Sequence, residues 1–194
     1  MPTSPIALPL SDRVGVPAEI AYLRAAYPAP QWRSHRNYGE LSAFWLSVHA
    51  SLREQGGQVQ QVTAALREGR IDPAAFQSAF VPRFNHFLQH LTGHHQIEDH
   101  AYFPKFRALD PRMVAGFDLL ENDHAVIDAT LHETVEQARA LLAALGQPGD
   151  ARLVATDRFA GASDHLMGLL ARHLADEEDL VLPAMLEHGE RSVS

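Results

Sequence analysis

The sequence predicts an all-α protein: an antiparallel up-down four-helix bundle over residues 37–188, preceded by an irregular extension over residues 1–36. Three observations predict it. Apolar residues recur at spacings of three and four, the mark of amphipathic helices, and no stretch alternates with period two. Asp-Pro pairs and glycines cut the chain into four long segments joined by short loops. Two of those segments match when slid by 79 residues, as two helical hairpins would.

Six of the twelve prolines, at positions 2, 5, 9, 17, 28 and 30, fall in the first thirty residues, so no single long element forms there. A short helix is expected over Ala18–Ala26, with Pro17 at its first position. The extension is either a strap packed on the main domain or partly disordered. The first long helix occupies about residues 38–68, carrying Leu41, Phe44, Trp45, Val48 and Leu52 on one face. Gly56 and Gly57 weaken it without ending it. Asp72-Pro73 reads as an N-cap followed by proline in the first turn. That second helix runs to about Phe106, with Pro82 expected to kink it or split off its first two turns. Asp110-Pro111 repeats the start signal for a third helix, which ends near Leu145 at Gly146. Pro148 to Asp150 form the next turn, and a fourth helix covers about residues 151–187 and stops at Gly189.

Composition excludes several chemistries. The chain has 194 residues, 16 basic and 24 acidic, for a net charge of −8. That disfavours nucleic acid, which is bound by neutralising phosphates with Lys and Arg. Zero cysteines remove disulfides, thiolate zinc sites, iron–sulfur clusters and Cys nucleophiles together. Lys105 is the single lysine and has no special context for Schiff-base chemistry. No apolar run approaches the ~18 residues of a membrane span. Met1 to Leu10 lack a basic segment and carry three prolines, unlike a secretory signal. A soluble cytoplasmic protein is expected. Histidine is the outlier: twelve are present, and imidazole without thiolate raises the prospect of a metal held by histidine and carboxylate.

The histidines are ordered. At the shift of 79, His86 meets His165, Leu91 meets Leu170, His94 meets His173, Glu98 meets Glu177, Asp99 meets Glu178 and Pro104 meets Pro183. At a shift of 75, His49-Ala50 meets His124-Ala125. Each predicted hairpin therefore gives one His from its first helix and one His-x3-Glu from its second. Residues i and i+4 lie about 40° apart around a helix and about 6 Å apart along it, so such a His and Glu point the same way. Four imidazoles and two carboxylates suit two metal ions about 3–4 Å apart with carboxylate bridges. The candidate ligands are His49, His94, Glu98, His124, His173 and Glu177. His90, His86 and His165 are further candidates for an added ligand, since His86 and His90 continue the stripe of His94 at four-residue steps. His95-x3-Asp99 offers the same spacing one residue on, but His95 aligns with Leu174 and is turned about 100° from His94. His95 is thus expected on a flank, and with His35, His100, His132 and His188 at the surface or behind the ligands. The alternative to a metal site is a large polar network in the bundle core, which is costly because inward carboxylates need partners.

These residues resemble the hemerythrin-like HHE cation-binding domains: His49, His94-x3-Glu98, His124 and His173-x3-Glu177, over about residues 37–187. The resemblance implies an up-down four-helix bundle with a non-haem di-iron centre, in which Glu98 and Glu177 bridge and the four histidines are terminal ligands. Members bind oxygen, or sense or respond to oxygen, nitric oxide, peroxide or iron. The chain departs from the oxygen carriers of that family. It has His124-x3-Asp128 where they have His-x3-His, and His173-x3-Glu177 where they have His-x4-Asp. The ferritin-like di-iron bundle uses Glu-x-x-His, with the carboxylate first, and fits less well.

The expected function is a di-metal protein, with two iron ions or else manganese or zinc. It binds or senses a small diatomic or peroxide ligand, or buffers iron. Two alternatives stand beside it. One is a di-iron enzyme of catalase, peroxidase or ferroxidase type, with Tyr102 either a redox neighbour or a packed aromatic. The other is a structural bundle holding zinc or no metal. Neither nucleic acid nor membrane is expected as a partner.

Overall fold

A computed structural model describes residues 9–147 and 149–194. The described chain is helical, with no strand. A 3-10 turn at Ala29–Ser34 precedes α1 (Glu40–Arg67). Then comes α2 (Pro73–Ile97), a π-helical turn at Glu98–Tyr102 and α3 (Phe103–Leu109). The 3-10 turn Pro111–Met113 opens α4 (Val114–Ala144). Helix α5 (Gly149–His188) is followed by a last 3-10 turn, Glu190–Ser192.

The helix boundaries have identifiable causes. The Ala75 N–H donates to Asp72 Oδ1 at 2.8 Å, and the Arg112 N–H donates to Asp110 Oδ1 at 2.8 Å. Both Asp-Pro signals therefore cap as expected. At Gly189, φ is +82°, a conformation that glycine adopts without steric cost, and α5 stops there. The start of α1 is capped from far along the chain. Glu190 accepts N–H bonds from Gly39, Leu41 and Ser42 at 2.9, 3.2 and 2.7 Å. A Cβ on Gly39 would meet Glu190 Oε2 at 2.4 Å, so only glycine admits this carboxylate.

One expectation is corrected, and at Pro82 one of the two expected outcomes, the split, does not occur. Residues 18–26 form successive turns, not a helix: Ile20 and Ala21 N–H bond Pro17 O, Arg24 N–H bonds Ala21 O, and Ala26 and Tyr27 N–H bond Leu23 O. Nine residues are too few to sustain a helix alone, and their side chains are taken by distant partners. Tyr22 Oη donates to Asp110 at 2.9 Å, Arg24 Nη1 pairs with Asp179 at 3.0 Å, and Tyr27 Oη bonds Glu187. Pro82 does not split its helix, which runs unbroken from Pro73 to Ile97. Phe76 and Phe84 stack on Phe80, with ring centroids 4.8 and 5.1 Å away, and hold the chain helical on both sides of the proline. The interruption comes later, at the π turn, which the sequence reading missed. Of the expected turn at residues 148–150, Gly149 and Asp150 belong to α5 and Pro148 lies outside the described residues. The leader reading of Met1 to Leu10 likewise falls almost wholly outside them.

The chain divides into two compact units. One gathers the described part of the first 49 residues, His94–Ala125 and Ala171–Ser194. Its core contains Trp45, Phe103, Phe106, Phe117, Val181 and Met185, joined by Val16, Ala21 and Trp32 of the extension. The described part of the extension thus packs into this unit as a strap. The other unit, Ala50–Gly93 and Val126–Leu170, has its own core around Phe76, Phe80, Phe84, Leu141 and Phe159. There Gly56 leaves room for Met167, whose Sδ would lie 2.3 Å from an added Cβ.

Candidate metal centre

The first unit holds seven donor side chains in two groups. One is His49, His94, Glu98 and Glu177; the other is His95, His124 and His173. Within each group one ligand atom per residue lies within 4.8 Å of the rest. Helix α1 supplies His49, α2 supplies His94 and His95, the π turn supplies Glu98, α4 supplies His124, and α5 supplies His173 and Glu177.

The two carboxylates join the groups. Glu98 Oε1 lies 3.1 Å from His94 Nδ1, and its Oε2 lies 3.6 Å from His124 Nε2. Glu177 Oε1 lies 3.2 Å from His49 Nε2, and its Oε2 lies 3.3 Å from His173 Nε2. Each carboxylate therefore presents one oxygen to each group. His124 Nε2 and His173 Nε2 are 3.1 Å apart. The i, i+4 pairs His94/Glu98 and His173/Glu177 meet as the helical spacing requires.

Behind the imidazoles stand acidic residues. Glu178 Oε1 is 2.9 Å from His49 Nδ1, Asp99 Oδ1 is 2.7 Å from His124 Nδ1, and Asp123 Oδ2 is 3.5 Å from His173 Nδ1. Each acid is adjacent in sequence to one of the seven donors. A carboxylate that accepts a hydrogen bond from Nδ1–H leaves the Nε2 lone pair free to point forward. Trp45, four residues before His49 and so on the same face of α1, donates its indole N–H to Glu177 Oε1. Tyr102 packs its ring edge-on against Trp45 at 5.0 Å, the packed-aromatic placement.

Burial and mutual charge perturb the set strongly. Burial alone would lower His49, but the carboxylates of Glu177 and Glu178 outweigh it and raise its pKa to about 9. Burial lowers His94 to about 3, against the pull of Glu177. His95 is pushed well down by burial and by the neighbouring His124, His173 and His94. Glu98 is pushed well up by burial and the charge of Glu177. Glu177 goes well down despite burial, because His49, His173 and His94 surround it. Two enclosed carboxylates this close cannot both keep their charge without added positive charge.

The donor set fits a cation. The buried Nε2 atoms of His49, His94 and His95, both oxygens of Glu98, and Glu177 Oε2 lack a hydrogen-bond partner. Buried polar atoms left unpaired are rare and costly, and here several converge on the same two groups. Imidazole nitrogen and carboxylate oxygen are donors for iron, manganese and zinc. The hemerythrin HHE cation-binding domain matches residues 40–185, three quarters of the chain. The chain belongs to the hemerythrin HHE cation-binding family. Comparisons with curated proteins and with solved structures found no match.

The internal repeat and the His-x3-Glu spacing point to six residues, and the fold brings all six together: His49, His94, Glu98, His124, His173 and Glu177. The placement of His95 is corrected. It is 8% exposed, stacks on His124 at 3.9 Å and belongs to the second group. Residues three and four before a given helix position fall on either side of it. His94 and His95 therefore straddle Glu98, and each enters a different group. The internal repeat does not show this, because Leu174 stands at the matching position. His86, His90 and His165 lie in the other unit and join neither group. His90 hydrogen-bonds Gln55 and stacks with His86, while His165 is exposed. His100, His132 and His188 are exposed, and His35 is half-buried against Tyr27. Asp128, where the oxygen carriers have a histidine, is exposed as well.

Proposed function

We propose that the chain is a non-haem di-iron protein that binds a small ligand such as oxygen, nitric oxide or peroxide. One observation carries this reading: two groups of buried donors linked by two carboxylates, each with an oxygen toward either group. In it, Glu98 and Glu177 would be shared between two ions, His49 and His94 would hold one of them, and His95, His124 and His173 would hold the other. The bundle is the up-down antiparallel one over residues 37–188, and the protein works in the cytoplasm.

The two groups are unequal. One has two imidazoles and the other has three, because the repeat places His95 opposite Leu174. The group with two imidazoles offers fewer nitrogen donors, so the exogenous ligand would bind at the His49/His94 side. Two iron ions supply Lewis acidity and redox capacity to such a ligand when bound. The chain's residues hold the imidazoles toward the two carboxylates, exclude bulk water through burial, and fix Glu177 Oε1 with the Trp45 indole.

The test is elemental analysis of protein grown with iron, paired with an absorption spectrum before and after exposure to oxygen, nitric oxide and peroxide. Two irons per chain and a ligand-dependent spectrum are expected. No more than a trace of transition metal would overturn the reading. Sustained peroxide decomposition would move it to an enzyme.

A further inference from the structure

Arg13 lies outside the family match, in the strap, yet its side chain is only 1% exposed. Its guanidinium grips two buried carboxylates. Nε donates to Asp176 Oδ2 at 2.7 Å, Nη1 donates to Asp123 Oδ1 at 3.2 Å, and Nη2 donates to Asp123 Oδ2. Asp176 Oδ1 lies 2.7 Å from Arg172 Nη2, and Arg172 Nη1 donates to the Val14 carbonyl, one residue beyond Arg13. Two arginines and two aspartates thus form a charge-balanced network, buried except at Arg172, that ties the strap to α4 and α5.

Asp123 connects this network to the candidate metal centre. Its Oδ2 is shared between Arg13 and the Nδ1 edge of His173, 3.5 Å away, and that nitrogen is buried with no hydrogen-bond partner of its own. The opposite nitrogen of the same ring, Nε2, faces Glu177 Oε2 and His124 Nε2. The Asp123 carboxylate thus stands at the edge of His173 opposite the one that faces the donors. A carboxylate that orients a metal-binding imidazole needs its own support. A guanidinium fork contacting both oxygens gives that support in a way a point charge cannot.

We propose that Arg13 is a positioning residue for His173: through Asp123 the strap fixes that imidazole for metal binding, so residues outside the HHE domain set the affinity of the three-histidine site. This rests on the di-metal reading above. It implies that the strap completes the centre instead of merely covering the unit.

The experiment titrates full-length, metal-free protein with Co(II), followed by its visible absorption. The variants are Arg13→Met, Arg13→Lys and, as a strap control, Arg24→Met, which removes the more exposed pair with Asp179. Arg13→Met is expected to weaken one of two Co(II) sites by about 10–100-fold, the usual effect of losing such support. Arg13→Lys keeps the charge but not the fork and is expected to weaken the same site in the same direction. Arg24→Met should stay within about twofold of wild type. Wild-type affinity in both Arg13 variants would overturn the proposal, as would an equal loss in Arg24→Met. If Arg13→Met does not fold, Arg13→Lys decides. The tautomer of His173, read from imidazole nitrogen shifts of the metal-free protein, separates the two readings. In wild type the proton should sit on Nδ1, and in Arg13→Lys the two tautomers should mix. If wild type takes up no Co(II), the metal reading falls, and the tautomer alone decides the role of Arg13: an unchanged tautomer overturns it.

Discussion

Asp99 Oδ1 lies 2.7 Å from Nδ1 of His124, so the residue after one metal-facing carboxylate steadies an imidazole on another helix. The same adjacency links Glu178, after Glu177, to His49. The HHE domain thus uses doubled acids, one facing the donors and one behind them. Asp99→Ala should weaken metal binding by about 10–100-fold while leaving helix content unchanged. Equilibrium titration with Fe(II) or Co(II), beside far-ultraviolet circular dichroism, checks this.

His95 and His90 make a sharper pair. His95→Ala removes a donor from the three-histidine group and should weaken that site by more than about 100-fold, beyond the effect of a supporting residue. His90→Ala touches only the contacts with Gln55 and His86 and should leave both sites intact. Metal counted per chain after gel filtration distinguishes them. Retention of two ions in His95→Ala would return the fifth donor to another residue.

Metal should stabilise the fold. A bound cation would give partners to the unpaired buried atoms of His49, His94, His95, Glu98 and Glu177. A ligand that binds the folded state alone stabilises it by RT ln(1 + [L]/Kd), about 2.7 kcal/mol at a hundredfold excess over Kd. Chelated protein should therefore melt several degrees below the loaded form in calorimetry. Coincident melting curves would argue against a buried site.

Glu190 provides a pH-dependent contribution away from the centre. Burial would raise its carboxyl, but the N–H groups of Ser42, Leu41 and Gly39 outweigh this and hold it below the ordinary glutamate value. A carboxylate with a depressed folded pKa contributes stability that is fully present above the unfolded value. That contribution is lost as pH falls through the folded value. Glu190→Ala should cost about 0.5–2 kcal/mol at neutral pH, the range for a lost helix cap. The difference from wild type should shrink as pH falls below about 4. Urea denaturation at neutral and acid pH measures both.

The sequence by itself determined the helical class, the Asp72 and Asp110 caps, the stop at Gly189 and six of the seven gathered donors. Those features are local: they depend on 3.6-residue periodicity, i, i+4 geometry and short-range capping, all legible in one strand of text. Only tertiary structure decided the rest. Whether His95 faces a flank or a donor group depends on what stands opposite, and His124 and His173 stand there. Pro82 stays within a helix because the phenylalanine stack on either side of it outweighs its local cost. Residues 18–26 surrender a helix because distant partners, Asp110 and Asp179, claim the side chains of Tyr22 and Arg24. Arg13 has no signature in the sequence at all. A buried arginine is defined by carboxylates brought to it across more than a hundred residues, and only folding brings them there.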